Sequence, residues 1–182
     1  MRHIRTCFID SRRAISVGMV VALMGVVGTV LAPVAGGSPR DDLRAAKAAT
    51  ARYHSVQQAE TAGYVQASPC VGPPQGAEGI HFDNAAFMAD DAIRVTQPEV
   101  LLYVPKANGK LRLVGIEYWK ADADGDLATS EDRPSIFGRP FDGPMPGHNP
   151  AMPVHYDLHV WLFSENPLGL FAPFNPNLTC AP

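Results

Sequence analysis

The chain has 182 residues, of which 18% are charged, and its formal net charge is −3. This length is typical of one domain. Removing residues 1–35 would take away four arginines and one aspartate, leaving 11 basic and 17 acidic residues and a net charge of −6. Because the remainder is acidic and has no basic stripe, we expect it not to bind nucleic acid or to attach electrostatically to an anionic membrane.

The first 35 residues have the three parts of a secretory signal. Residues 1–13 are basic, residues 14–34 are apolar, and small residues with one proline end the segment near Ala35. We therefore predict a signal peptide over 1–35 and one mature domain over 36–182. The mature domain would be exported to the periplasm, the cell envelope or the medium.

The apolar run leaves an uncleaved anchor as the alternative, because about 20 apolar residues span a bilayer. Its glycines make it only mildly hydrophobic, which favours cleavage and no stable membrane insertion afterwards. The pair Arg12 and Arg13 resembles a twin-arginine export signal, although Ser16 replaces a bulky apolar residue. The twin-arginine and general secretory routes both remain open.

The mature chain begins with a predicted helix over about 40–62. Ser38 and Pro39 suit its start, apolar residues recur at three- and four-residue steps, and Gly63 suits its end. Residues 79–82 form a short predicted strand, and residues 84–94 a helical turn.

The clearest β feature is a hairpin. Residues 100–104 and 111–119 read as two strands, and Asn108 followed by Gly109 is a strong turn signal between them. A long loop over 120–153 and a last strand over 155–163 complete the pattern. We predict an α+β fold, with the N-terminal helix packed on an antiparallel sheet of four or five strands. The sheet is either open or curled toward a small, partly closed barrel.

Cys70 and Cys180 are the two cysteines of the mature chain. An even number of cysteines in an exported protein predicts a disulfide. Metal binding is the alternative, but neither residue belongs to a C-x-x-C pair.

Residues 155–163 place metal-capable groups on one face of a strand. Because side chains alternate, His155, Asp157 and His159 share a face and their neighbours form an apolar face. The two histidines are about 13 Å apart along such a strand. One metal ion would therefore take either Asp157 with His159 or His155 with Asp157. Tyr156 replaces the glutamate of an H-E-x-x-H motif, which argues against a metalloprotease.

Glu117 lies in a predicted strand whose alternation groups it with Leu111, Leu113 and Trp119. A carboxylate in an apolar row needs a partner or becomes neutral. We predict that His81, Glu117 and His159 converge and offer two nitrogens and one oxygen to a divalent transition metal such as zinc. A purely structural polar network and a pocket for an organic ligand are the alternatives.

An acidic segment partly matches a calcium loop. Asp122, Asp124 and Glu131 fall at its third, fifth and twelfth places, but Lys120 occupies the first, where a carboxylate is expected. We therefore interpret the segment as an exposed acidic turn.

Short motifs spread over most of the mature chain resemble a family of exported bacterial proteins that has no assigned activity. They are residues 79–82 (GIHF), 98–103 (PEVLLY), 117–119 (EYW), 158–161 (LHVW) and an ending with Asn166-Pro167, Gly169, Phe171, Asn175-Pro176 and Cys180. The resemblance implies export and the disulfide. It also implies that His81, Glu117 and His159 belong to family motifs, whereas His155 does not.

Two functions from different classes follow. The first is a binding or structural module of the cell envelope, with a partner that the sequence does not identify. The second is a metal-binding protein or metal-dependent enzyme with its site at His81, Glu117 and His159.

Overall fold

The computed structural model describes residues 37–181. The leader predicted over 1–35 and its cleavage site lie outside these residues. Within the described range, no helix is long and apolar enough to cross a bilayer.

The predicted N-terminal helix forms, but in three pieces. Helix α1 (Pro39–Thr50) is followed by a 3₁₀ helix (Ala51–His54) and by α2 (Val56–Thr61). As expected, the Ser38 side chain caps the start of α1 by accepting a hydrogen bond from the Asp41 amide. Continuity is lost at Ser55, whose backbone is extended. The preceding carbonyl of Tyr53 accepts a hydrogen bond from the buried Tyr103 hydroxyl at 2.6 Å, so a tertiary contact replaces the helical one.

The α+β class is confirmed, with a sheet of six strands rather than four or five. Its strands are β1 (Tyr64–Gln66), β2 (Ile80–Asn84), β3 (Val100–Pro105), β4 (Leu111–Ala121), β7 (Asp142–Met145) and β8 (His155–Val160). All neighbouring strands are antiparallel, and the order β1-β2-β3-β4-β8-β7 leaves the sheet open, with β1 and β7 at its edges. Helix α3 (Ala85–Ala89) follows β2, and β5 (Ser135–Ile136) pairs with β6 (Arg139–Pro140) as a separate ladder.

The sheet separates two cores. The larger lies under the helices and includes Tyr53, Phe82, Tyr103, Ile116, Tyr118 and Leu158. The smaller lies on the opposite face and includes Ala77, Val100, Leu102, Val114, Trp119, Trp161 and Leu178. We call this second surface the site face, because the candidate ligands described below lie on it.

A β-bulge in β4 corrects the predicted row around Glu117. Leu102 pairs with Gly115 while Tyr103 pairs with Leu113, so Val114 is an extra residue. Leu111 and Leu113 consequently pack into the helix-side core, whereas Glu117 and Trp119 lie on the site face. The predicted grouping of Glu117 with the two leucines was wrong, although its grouping with Trp119 holds.

The disulfide between Cys70 and Cys180 is present and joins two irregular segments, residues 67–79 and 166–181, that lie over the site face and that we call the cover. A backbone bridge joins Val71 to Gly79, and another joins Ala77 to Asn175. Gly79 has a φ of +107°, and a Cβ there would lie 2.5 Å from the Tyr103 carbonyl oxygen. This glycine lets the cover turn tightly into β2, which carries His81.

Candidate metal centre

Three strands bring His81, Glu117 and His159 together on the site face. Glu117 on β4 lies directly opposite His159 on β8 in the antiparallel ladder. His81 is on β2, which β3 separates from β4. The residue of β3 opposite Glu117 is the apolar Val100, so His81 and Glu117 meet across a strand that supplies no polar side chain between them.

The Glu117 carboxylate is the centre of the cluster. Its Oε2 atom lies 3.3 Å from Nε2 of His81 and 3.6 Å from Nε2 of His159. Glu78, which precedes β2, brings its Oε2 to 3.9 Å from Nε2 of His81. Glu78, His81 and His159 each offer a ligand atom, and these three atoms lie within 4.8 Å of one another. The structure therefore adds a second carboxylate to the three predicted residues.

Several of these atoms are buried without conventional hydrogen bonds. The side chains of Glu117 and His159 are about 5% and 4% exposed. Glu117 Oε2 and both ring nitrogens of His159 have no hydrogen-bond partner within residues 37–181. Leaving such atoms unpartnered is costly, so a cluster of them needs an explanation.

The ring of His81 is oriented by Ser68. The Ser68 hydroxyl donates to the Pro69 carbonyl oxygen at 2.8 Å and lies 3.0 Å from Nδ1 of His81. Because the hydroxyl proton is engaged, the Ser68 oxygen accepts from Nδ1–H. Nε2 of His81 is thereby directed at Glu117. A hydrogen bond from one ring nitrogen is the usual way in which a metal-binding histidine is held.

Burial and the mutual attraction of the three side chains shift their pKa values in different directions. Burial disfavours the His81 cation, but the neighbouring Glu117 carboxylate outweighs it and raises the pKa of His81 to about 8. Burial lowers the pKa of His159, against the opposing attraction of Glu117. Burial alone would raise the pKa of Glu117, but the adjacent His159 and His81 lower it. Glu117 is ionised and His81 is its cationic partner.

The other two predicted residues extend the cluster along β8. Asp157 Oδ1 lies 3.9 Å from Nδ1 of His159, and its Oδ2 lies 4.0 Å from Nε2 of His155. Burial, followed by the charge of Glu117, raises the pKa of Asp157 to about 8. Both pairs considered from the strand geometry are thus neighbours in the structure.

Sequence reasoning missed Glu78 and His148. His148 lies in the long loop, and its ring centroid is 5.0 Å from that of His155. Glu78 lies three residues before His81 in the sequence, and this spacing could have indicated it as a ligand. Nothing local indicated that the loop would return His148 to β8.

The calcium-like segment forms a turn, and the cavities are lined by residues other than the three predicted ligands. Asp122 Oδ1 accepts hydrogen bonds from the amides of Asp124 and Gly125, as in an ordinary acidic turn. One cavity of about 220 Å³ lies beside Cys180, and another of about 450 Å³ lies beside His54. Neither is lined by His81, Glu117 or His159.

Comparisons with protein-family models, with curated proteins and with solved structures found no match.

Proposed function

We propose that this chain is an exported protein that binds a divalent transition metal ion such as zinc through His81, Glu117 and His159. The observation that carries the proposal is the position of Glu117 Oε2, buried and without a hydrogen bond, between Nε2 atoms at 3.3 and 3.6 Å. In a tetrahedral zinc site with bonds of about 2.0–2.1 Å, ligand atoms lie roughly 3.3 Å apart. The observed separations of 3.3 and 3.6 Å are close to this spacing.

The donor set also suits zinc chemically. Two imidazole nitrogens and one carboxylate oxygen are a common zinc combination, whereas calcium and magnesium prefer oxygen ligands. Glu78, 15% exposed and 3.9 Å from His81, is placed to supply the fourth ligand. A closed set of four protein ligands is typical of structural zinc. We therefore infer binding rather than turnover.

A structural polar network in a cell-envelope module is the second candidate. The observation in its favour is that His81 and Glu117 already have complementary charges, because the pKa of His81 is raised to about 8 and that of Glu117 is lowered. Such a pair stabilises the sheet without an ion. It does not provide partners for the two buried nitrogens of His159.

Substitution of Glu117 by Gln distinguishes these candidates. After metal removal by chelator, zinc should raise the free energy of unfolding of the native protein, by about 2.7 kcal/mol at a concentration 100 times the Kd. The Glu117→Gln variant should show no such stabilisation by zinc. In chelator, its free energy of unfolding should also be about 1–3 kcal/mol lower than that of the native protein, because its histidine neighbours lose their carboxylate. Denaturant unfolding with zinc and with chelator measures both effects.

Glu60→Gln is the matched control, since Glu60 is an exposed glutamate on α2. It should keep the full response to zinc. An unchanged zinc response in Glu117→Gln would refute the proposed metal site. A loss of stability without any zinc response in the native protein would leave the structural network.

Export and the family resemblance complete the proposal. The disulfide supports an oxidising location, and the motifs over the mature chain support a relation to exported bacterial proteins. N-terminal sequencing of the protein from the extracytoplasmic fraction should find a start near residue 36. Recovery of intact Met1 in the membrane fraction would instead indicate an anchor.

A further inference from the structure

The geometry points to a second metal site on the site face, formed by His148, His155 and Asp157, with Asp157 linking it to the first. Each residue offers one ligand atom, and the three atoms lie within 4.8 Å of one another. The inference goes beyond the proposed function and rests on it only for the linking role of Asp157. Its ligand would again be a divalent transition metal, because two of the three donors are imidazoles.

His155 is the strongest evidence for this second site. Its side chain is 1% exposed, and Nδ1 lies 3.1 Å from the Pro153 carbonyl oxygen, to which it donates. That hydrogen bond leaves the lone pair on Nε2. Nε2 is buried, has no hydrogen-bond partner within the described chain, and faces Asp157 Oδ2 at 4.0 Å. An imidazole held in this way has the tautomer and orientation of a metal ligand.

His155 packs against an aromatic side chain on one side and lies next to an exposed histidine on another. The indole of Trp119 stacks on its ring, with centroids 5.7 Å apart and an interplanar angle of 27°. On another side the exposed His148 places its ring edge-on, with centroids 5.0 Å apart. Trp119 fixes the buried ligand, whereas His148 lies at the surface, where an ion from solvent first meets the site.

Asp157 faces both sites with different oxygens. Oδ2 is directed toward His155, and Oδ1 lies 3.9 Å from Nδ1 of His159, whose Nε2 faces Glu117. In the second site Asp157 is a ligand. Toward the first site we assign it a positioning role: at 3.9 Å its Oδ1 does not hydrogen-bond to Nδ1 of His159, and a closer approach on metal binding would let it accept from Nδ1–H and orient that ring. Filling one site therefore helps to fix a residue used by the other.

Counting bound zinc tests the inference. The metal-free protein is titrated with zinc alone, followed by calorimetry and by elemental analysis after gel filtration. The native protein should bind two equivalents, and His155→Asn, which keeps a donor near the Pro153 carbonyl but lacks Nε2, should bind one. His148→Ala, a surface change that does not endanger folding, should weaken one equivalent at least tenfold. Asp157→Asn should lose one equivalent and weaken the other by about 10–100-fold.

His54→Ala is the control, because His54 is an exposed histidine outside both sites; it should bind two equivalents. Glu117→Gln should lose only the first site, and the Glu117→Gln/His155→Asn double variant should bind no zinc. One equivalent in the native protein that survives both His148→Ala and His155→Asn would overturn the second site while sparing the first. One equivalent that Glu117→Gln retains and His155→Asn loses would support the second site and refute the proposed function.

Discussion

Replacing Cys70 and Cys180 by serine is expected to lower the free energy of unfolding by about 4–5 kcal/mol at most. The disulfide joins residues 110 positions apart, and closing so long a loop removes much conformational entropy from the unfolded chain. Since a domain is stable by only about 5–15 kcal/mol, the loss is a large share of the total. Urea unfolding of the double variant and of the native protein measures it.

Reduction of the native protein provides the internal control for this prediction. With reductant, the native protein and the double variant should unfold at nearly the same urea concentration. The disulfide also fastens the cover that contains Ser68 and Glu78, so the double variant should bind zinc more weakly. A double variant as stable as the oxidised protein would show that the unfolded chain gains little freedom when the bond is absent.

Glu99→Gln should change the pH dependence of stability more than any other single substitution of a carboxylate outside the metal centre. Glu99 is 1% exposed, its Oε2 accepts from the Trp119 amide at 3.2 Å, and its Oε1 has no hydrogen-bond partner in the part of the chain that the structure describes. Burial raises its pKa to about 8 from an ordinary value of 4.5. The folded protein therefore retains a proton that the unfolded chain releases.

This difference in proton binding determines how the free energy of unfolding changes with pH. Below pH 4.5 both states hold the proton and the stabilising effect is complete; it is lost as the pH rises toward about 8, at roughly 1.4 kcal/mol per pH unit. Glu99→Gln has no proton to lose. The two proteins should be similarly stable at pH 4, and the variant should be more stable by several kcal/mol at pH 9.

Denaturant unfolding at intervals between pH 4 and pH 9 tests the Glu99 prediction. The difference between the two stabilities is the useful quantity, because contributions from other groups, such as Asp157, occur in both proteins. If the free energies of unfolding of the native protein and of Glu99→Gln differ by the same amount at every pH, the pKa of Glu99 is not raised.

Local patterns in the sequence predicted much of the fold. The cap at Ser38 and the hairpin turn at Asn108 and Gly109 depend on neighbouring residues, and both the capped helix and the hairpin strands are present. Strand β7 was missed because residues 142–145, Asp-Gly-Pro-Met, lack an alternating apolar pattern. The break at Ser55 was missed because neither glycine nor proline marks it in the sequence, and the Tyr103 hydroxyl that donates to the Tyr53 carbonyl beside it lies 50 residues away.

The residues of the candidate site that lie in strands could be predicted from the sequence. His81, Glu117 and His159 were recognisable as polar groups among apolar neighbours, and the structure brings them together. Their binding of a metal stays a prediction. Glu78 and His148 come from irregular segments whose paths depend on the disulfide cover and the long loop, so no periodic pattern could place them.

The bulge at Val114 makes the length of β4 matter more than the identity of most of its residues. Val114 and Gly115 both face the smaller core, after which regular alternation carries Glu117 and Trp119 to that side. Conservative replacements between Gly115 and Trp119 leave this phase unchanged. Inserting or deleting one residue there would exchange the two faces downstream, placing apolar Ile116 or Tyr118 where the carboxylate belongs. The spacing from Val114 to Glu117 is thus a structural constraint that a residue-by-residue comparison of side chains would overlook.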